Sequence, residues 1–214
     1  MDLSLKKDEL LITSALKSLH NLFGRDHMDW MVVSGTAVYF HGDKTRKITD
    51  VDIVTNCQTM ADLESILVKS PEVDGLSRVR FVDKFGDVRP ITYYFRMNIS
   101  GVVVHASNDW IYQDGNNKLI KIPFAKSFAR ALTVSFNSVE FKIAQPELVF
   151  FCKSITRRKL ESRGKLILKD LNDCESLLKN RGKFDFKYLE NLYLENNLTD
   201  IYNRFALPLI QRYS

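Results

Sequence analysis

Hydrophobic positions along the chain change period several times, and the changes outline a fold. Over residues 5 to 24, Leu11, Ala15, Leu19, Leu22 and Phe23 recur at helical spacing and Gly24 closes the run, which predicts a first helix. Trp30-Met31-Val32-Val33 is short, apolar and partly β-branched, as a buried strand is. Thr36 to Gly42 then reads as a helix stopped by a glycine, with Ser34-Gly35-Thr36 at its start. Asp50 to Val54 forms the next strand, where a period of two puts Asp50 and Asp52 on one face and Val51 and Ile53 on the other. Thr59 caps a helix running to about Ser70, with Leu63, Ile66 and Leu67 on one side. Val79-Arg80-Phe81-Val82 leads through Lys84 to Asp87 into Ile91 to Met97, a predicted hairpin, and Val102 to Ala106 adds a strand after Ser100-Gly101. Leu132 to Phe136 and Val139 to Ile143 flank Asn137-Ser138 as a last pair. From Pro146 the pattern turns helical, with Leu148, Phe151, Cys152 and Ile155 as an apolar face. The expected fold is α/β (α+β): a mixed sheet core with flanking helices over 1–145 and a C-terminal helical bundle over 146–214.

Composition narrows the setting. The 214 residues, 45% of them hydrophobic, can bury one substantial core but not two large ones. No apolar stretch approaches the ~20 residues of a membrane span, and the charged first residues, Met1 to Asp8, lack a signal-peptide apolar region, so a cytoplasmic protein with no membrane contact is expected. Cys57, Cys152 and Cys174 are widely spaced and odd in number, as reduced thiols rather than a disulfide or zinc framework would be. Net charge is +5, and Lys153, Arg157, Arg158, Lys159, Arg163, Lys165 and Lys169 crowd into one segment. That cluster suits RNA or a triphosphate; the alternative is a solvated helix face balanced by Glu161, Asp170, Asp173 and Glu175.

The chemistry concentrates around the first two strands. Backbone N–H groups at a helix start favour anions, which gives Ser34-Gly35-Thr36 an affinity for phosphate. Asp50 and Asp52, with Cα atoms roughly 7 Å apart at ~3.3 Å per strand residue, repel unless a cation joins them. Mg²⁺ suits such a pair because it takes one or two carboxylates and completes its shell with phosphate oxygens. The bland alternative is two solvated acids at a strand edge.

Gly35-Thr36, a thirteen-residue interval and Asp50-Val51-Asp52 resemble the motif of the nucleotidyltransferase superfamily, a glycine-containing turn followed by a strand with two acids. The stretch from Val32 to Val54 also resembles the subset of minimal nucleotidyltransferases and AbiEii-type toxins, in which an arginine, here Arg46, shortly precedes the acids. Ser34 stands where the family often has its first glycine. Val139 to Glu147 leading to Lys153, followed by Lys169-Asp170-Leu171-Asn172-Asp173, is similar to the second half of that pattern, a proline-led helix bearing a lysine and a later helix bearing two acids three apart.

The resemblance implies transfer of an NMP group from an NTP to an acceptor, which can be tRNA, a protein or a small molecule, with Mg²⁺ or Mn²⁺ held by Asp50 and Asp52. It implies that Ser34, Gly35, Thr36, Arg46 and Lys153 meet the donor phosphates, and that Asp170 orients Lys153 or acts as a base near the acceptor. In the toxin-like version an antitoxin protein is a partner. For Asp170 and Asp173 the alternative is an inter-helix salt bridge with Arg157 or Arg158. The third acid of many superfamily members is replaced by His105, which can serve as a general base, ligate a borderline metal such as Mn²⁺, or merely lie near the cleft. The competing functional class is a catalytically silent nucleotide- or RNA-binding module.

Overall fold

A computed structural model describes residues 3–44, 47–80, 88–122, 124–157, 160–162, 165–180 and 184–213. In chain order the first elements are α1 (Leu3–Arg25), β1 (Trp30–Val32), α2 (Ser34–Phe40), β2 (Asp50–Thr55), α3 (Met60–Lys69), β3 (Asp74–Arg80), β4 (Val88–Pro90), β5 (Tyr93–Ile99) and β6 (Val102–Ser107). They are followed by β7 (Ile111–Asp114), β8 (Leu119–Lys121), α4 (Phe124–Phe128), β9 (Leu132–Phe136), β10 (Val139–Ile143) and α5 (Pro146–Thr156). The last part comprises β11 (Leu160–Ser162), β12 (Lys165–Ile167), α6 (Lys169–Lys179), α7 (Phe186–Glu195), α8 (Thr199–Ile201), a π-helical turn over Tyr202–Ala206 and α9 (Leu207–Tyr213).

Seven strands form one mixed sheet in the order β3-β5-β6-β2-β1-β10-β9. The β1–β10 and β2–β6 pairs are parallel and the others antiparallel. Parallel pairing of β2 with β6 sets Asp52 opposite His105 and Asp50 opposite Val103, and β6–β5 pairing carries the row on to Arg96. Residues opposite one another across a ladder share a face, so this register places the acids and the histidine side by side. Val51, Ile53, Val104, Phe95 and Met97 point the other way and are buried.

α1 packs on the sheet, touching β5, β6 and β10. Its buried stripe is Ile12, Ala15, Leu16, Leu19, Leu22 and Phe23, whereas Leu11, expected in that stripe, is exposed. The Thr59 cap of α3 is realised as a capping box: Thr59 Oγ1 accepts from the Asp62 N–H, and an Asp62 oxygen accepts from the Thr59 N–H. α5 is buried along its length from Glu147 to Thr156, not on one face, because it lies between α2, α6 and α7.

Three features depart from expectation. β3 starts at Asp74, before Val79, and its pairing with β5 brackets residues 81–87, which lie outside the described residues. β4, β7 and β8 make a separate three-stranded sheet that strand periodicity does not signal, since each is only three or four residues long. The expected run of helix after Pro146 is interrupted by the β11–β12 hairpin, which absorbs part of the basic segment. The three cysteines are unpaired. Among the described residues no helix is long and apolar enough to cross a membrane.

His41, at the C-terminus of α2, places Nε2 2.7 Å from the Ala144 carbonyl, just ahead of α5. A carbonyl only accepts, so Nε2 carries the hydrogen and donates. Desolvation depresses the ring's pKa below its ordinary 6.5, the Ala144 bond working weakly the other way. Between the depressed value and 6.5 the unfolded chain binds more protons than the folded one, so stability is full above 6.5 and falls as pH drops. Thermal unfolding between pH 7.5 and 5.5 is expected to show this loss, about 1.4 kcal/mol per unit of depression. His41→Gln should flatten that slope; an unchanged slope would contradict the account.

Candidate active site

The two acids stand on the part of β2 that the fold leaves open. Asp50 is roughly half exposed and receives the Thr49 hydroxyl at 3.1 Å, while Asp52 is more enclosed. His105 Nδ1 is 2.9 Å from an Asp52 oxygen and 3.7 Å from an Asp50 oxygen. One donor atom from each of the three lies within 4.8 Å of the others. Burial alone would raise the Asp52 carboxyl; the His105 hydrogen bond and charge, the Ser34 hydroxyl and the Lys153 charge outweigh it and hold the group below the usual carboxylate range.

The start of α2 supports this strand from behind. Thr36 is buried, and its hydroxyl donates to the Asp50 carbonyl at 2.7 Å, so that hydroxyl fixes β2 instead of facing a ligand. The Val33 N–H donates to the Asp52 carbonyl at 2.9 Å. Ser34 adopts φ +57°, the left-handed conformation that glycine occupies without cost. Its hydroxyl on Asp52 is a reason to keep a side chain there.

Lys153 comes from α5 and is almost fully buried. Its Nζ meets Asp170 at 3.2 Å and Asp173 at 2.9 Å, and the Thr156 hydroxyl donates to the second Asp170 oxygen at 2.8 Å. Spacing of three does put both carboxylates on one face of α6, and Lys153 is what that face meets. A cavity of about 170 Å³ joins these parts. Ser34, Gly35, Asp50, Asp52 and His105 line it, together with Lys153 and Thr156 of α5 and Lys169 of α6.

Of the sequence-predicted residues, Ser34, Gly35, Asp50, Asp52, His105 and Lys153 therefore share one cavity. Thr36 and Asp170 do not line it and act from behind it. Arg46 lies outside the described residues, as do Arg158, Lys159 and Arg163 of the basic cluster. Asp109, the next acid after His105 in the chain, is paired with Lys121 at 3.0 Å. Sequence reasoning did not find the aromatic side of the cavity, Tyr94, Trp110 and Tyr112. The available signal was the spacing of two between Trp110, just ahead of β7, and Tyr112 within it, a strand too short for a period. Cys152 also touches the cavity, but burial pushes its thiol up to about 12, so it is not a nucleophile.

The donor set suits a divalent cation: two carboxylates and an imidazole converge at the mouth of a cavity that also holds a glycine turn and a lysine. No protein-family model and no curated protein matches the sequence. Among solved structures, that of the antibiotic-resistance factor ANT(2'')-Ia in solution aligns over 97% of this chain and 98% of its own, at 12% identity and a TM-score of 0.50. The chain has the nucleotidyltransferase fold. Also similar are ANT(2'')-Ia in complex with adenylyl-2''-tobramycin (12% identity, 93% of this chain and 99% of that one, TM-score 0.49) and an antigenic nucleotidyltransferase-like protein from Paracoccidioides brasiliensis (18%, 92% and 93%, TM-score 0.46). Here the sheet supplies the acids, and α5 and α6 supply the lysine and its carboxylates.

Two outcomes test this geometry. Lys153→Met leaves two buried carboxylates without their ammonium and is expected to cost about 3–5 kcal/mol in urea unfolding, where a loss below about 1 kcal/mol would contradict the buried arrangement. Ser34→Gly removes left-handed strain worth about 1–2 kcal/mol together with a hydrogen bond of similar size, whereas Ser34→Ala keeps the strain and loses the bond. The glycine variant should therefore melt higher than the alanine variant.

Proposed function

We propose that this protein transfers a nucleotidyl group from an NTP to an acceptor hydroxyl. The observation that carries the reading is the convergence of Asp50, Asp52, the Ser34-Gly35 turn and Lys153 on one cavity. Asp50 and Asp52 would hold a divalent cation, Mg²⁺ or Mn²⁺, which would supply Lewis-acid neutralisation of charge on the phosphates. The Ser34-Gly35 backbone faces the β and γ phosphates. Lys153, locked by Asp170 and Asp173, offers a fixed positive charge toward the same group without rearranging as the reaction proceeds. The acceptor hydroxyl oxygen attacks the α-phosphorus as the bond to the α–β bridging oxygen breaks; its proton passes to water and pyrophosphate leaves in line. Trp110 and Tyr112 provide flat apolar surface suited to the base.

On this reading residues 1–145 form the catalytic core and 146–214 the helical region, which closes the site through Lys153. The acceptor is a tRNA, a protein or a small molecule in the cytoplasm, and in a toxin-type setting an antitoxin would cover the site. One observation favours a second reading, a nucleotide- or RNA-binding module without transfer: an imidazole stands where many relatives carry a third acid.

Asp52→Ala is expected to reduce metal-dependent release of pyrophosphate from NTP by about 100-fold or more, with the circular dichroism spectrum unchanged. Full activity in that variant would sink the assignment. NTP binding without turnover in the wild type, across acceptors of all three classes, would select the second reading.

A further inference from the structure

We infer that His105 is the third protein ligand of the cation site and makes it select Mn²⁺ over Mg²⁺. The inference rests on the metal-binding part of the proposed function, not on transfer itself. Neighbouring ligands on an octahedral ion with bonds of about 2.1 Å stand about 3.0 Å apart. His105 Nδ1 lies 2.9 Å from one Asp52 oxygen and 3.7 Å from one Asp50 oxygen, so an ion can meet all three on one side with only small side-chain adjustment once the ring carries its hydrogen on Nε2 and not on Nδ1. The imidazole is held in this position. The β2–β6 register fixes its backbone beside Asp52, and the Tyr94 ring packs edge-on against it with centroids 4.8 Å apart.

Nitrogen in that position changes which ion fits. Mg²⁺ is hard, holds its waters and prefers oxygen, whereas imidazole suits first-row transition ions. Among these Mn²⁺ still accepts two carboxylates and leaves the remaining positions to water or phosphate oxygens, which a site lined by Asp50 and Asp52 requires. A site with three carboxylates would lack this bias.

The test uses the full chain, first without nucleotide and then with a non-hydrolysable ATP analogue. Mn²⁺ binding is followed by electron paramagnetic resonance with Mg²⁺ as competitor, and pulsed spectra read the coupling of the bound ion to ¹⁴N. The expected result is ¹⁴N coupling in the wild type that disappears in His105→Asp, with the preference for Mn²⁺ over Mg²⁺ at least tenfold smaller in that variant. Absence of ¹⁴N coupling in the wild type, an unchanged preference in His105→Asp, or no Mn²⁺ binding at millimolar ion under either condition would overturn it. The wild-type ¹⁴N coupling without nucleotide, together with the wild-type preference for Mn²⁺ over Mg²⁺, decides the matter even if His105→Asp fails to fold. Nitrogen-ligated Mn²⁺ in a protein that shows no transfer would leave this site standing and remove only the transfer reading.

Discussion

Two carboxylates on the same face of one strand repel, and much of the surrounding structure answers that repulsion. β2 is laddered to β6 along Asp50 to Val54 and to β1 along Ile53 to Thr55, so the acids cannot relax by swinging the strand away. Their charge is offset locally by the His105 contact, by the Ser34 hydroxyl and by the field of Lys153. The Thr36 hydroxyl and the Val33 N–H secure the carbonyls of the same two residues. A strand so constrained is pre-organised for a cation, because the cost of bringing the acids together is met during folding and not at binding.

The second constraint joins the two halves of the chain. Lys153, Asp170 and Asp173 form a buried ionic cluster, an arrangement that is costly to break and contributes little to stability over an apolar packing. Its value lies in position. A lysine on a long flexible stem becomes a fixed charge at the cavity wall, and the helices that hold it cannot shift without exposing an unpaired ion.

Much of this was legible in the sequence, for physical reasons. The period of two at Asp50 to Val54, the glycine after α2 and the Thr59 cap act locally, so the strand, α2, α3 and the acid pair could be read directly. Spacing of three identified the Asp170 and Asp173 face, but only the family resemblance named Lys153 for it over Arg157 or Arg158, because which cation it meets depends on how α5 packs on α6. The same limit hid the aromatic wall: Trp110 and Tyr112 reach the cavity only through a three-stranded sheet whose strands are too short to show a period. Thr36 was read as part of the phosphate turn, whereas its hydroxyl serves the strand behind it, a distinction only tertiary hydrogen bonding makes. Burial of Leu16 and exposure of Leu11 reflect a rotation of α1 on the sheet that either apolar stripe would permit.

On this reading one cavity holds both the cation and the triphosphate. A crystal structure of the protein with Mn²⁺ and a non-hydrolysable ATP analogue tests it most directly, using anomalous scattering to place the ion. The account predicts an anomalous peak bonded to Asp50, Asp52 and His105, with the triphosphate between the Ser34-Gly35 turn and Lys153. An ion bound elsewhere, or a triphosphate that leaves this cavity empty, would contradict it.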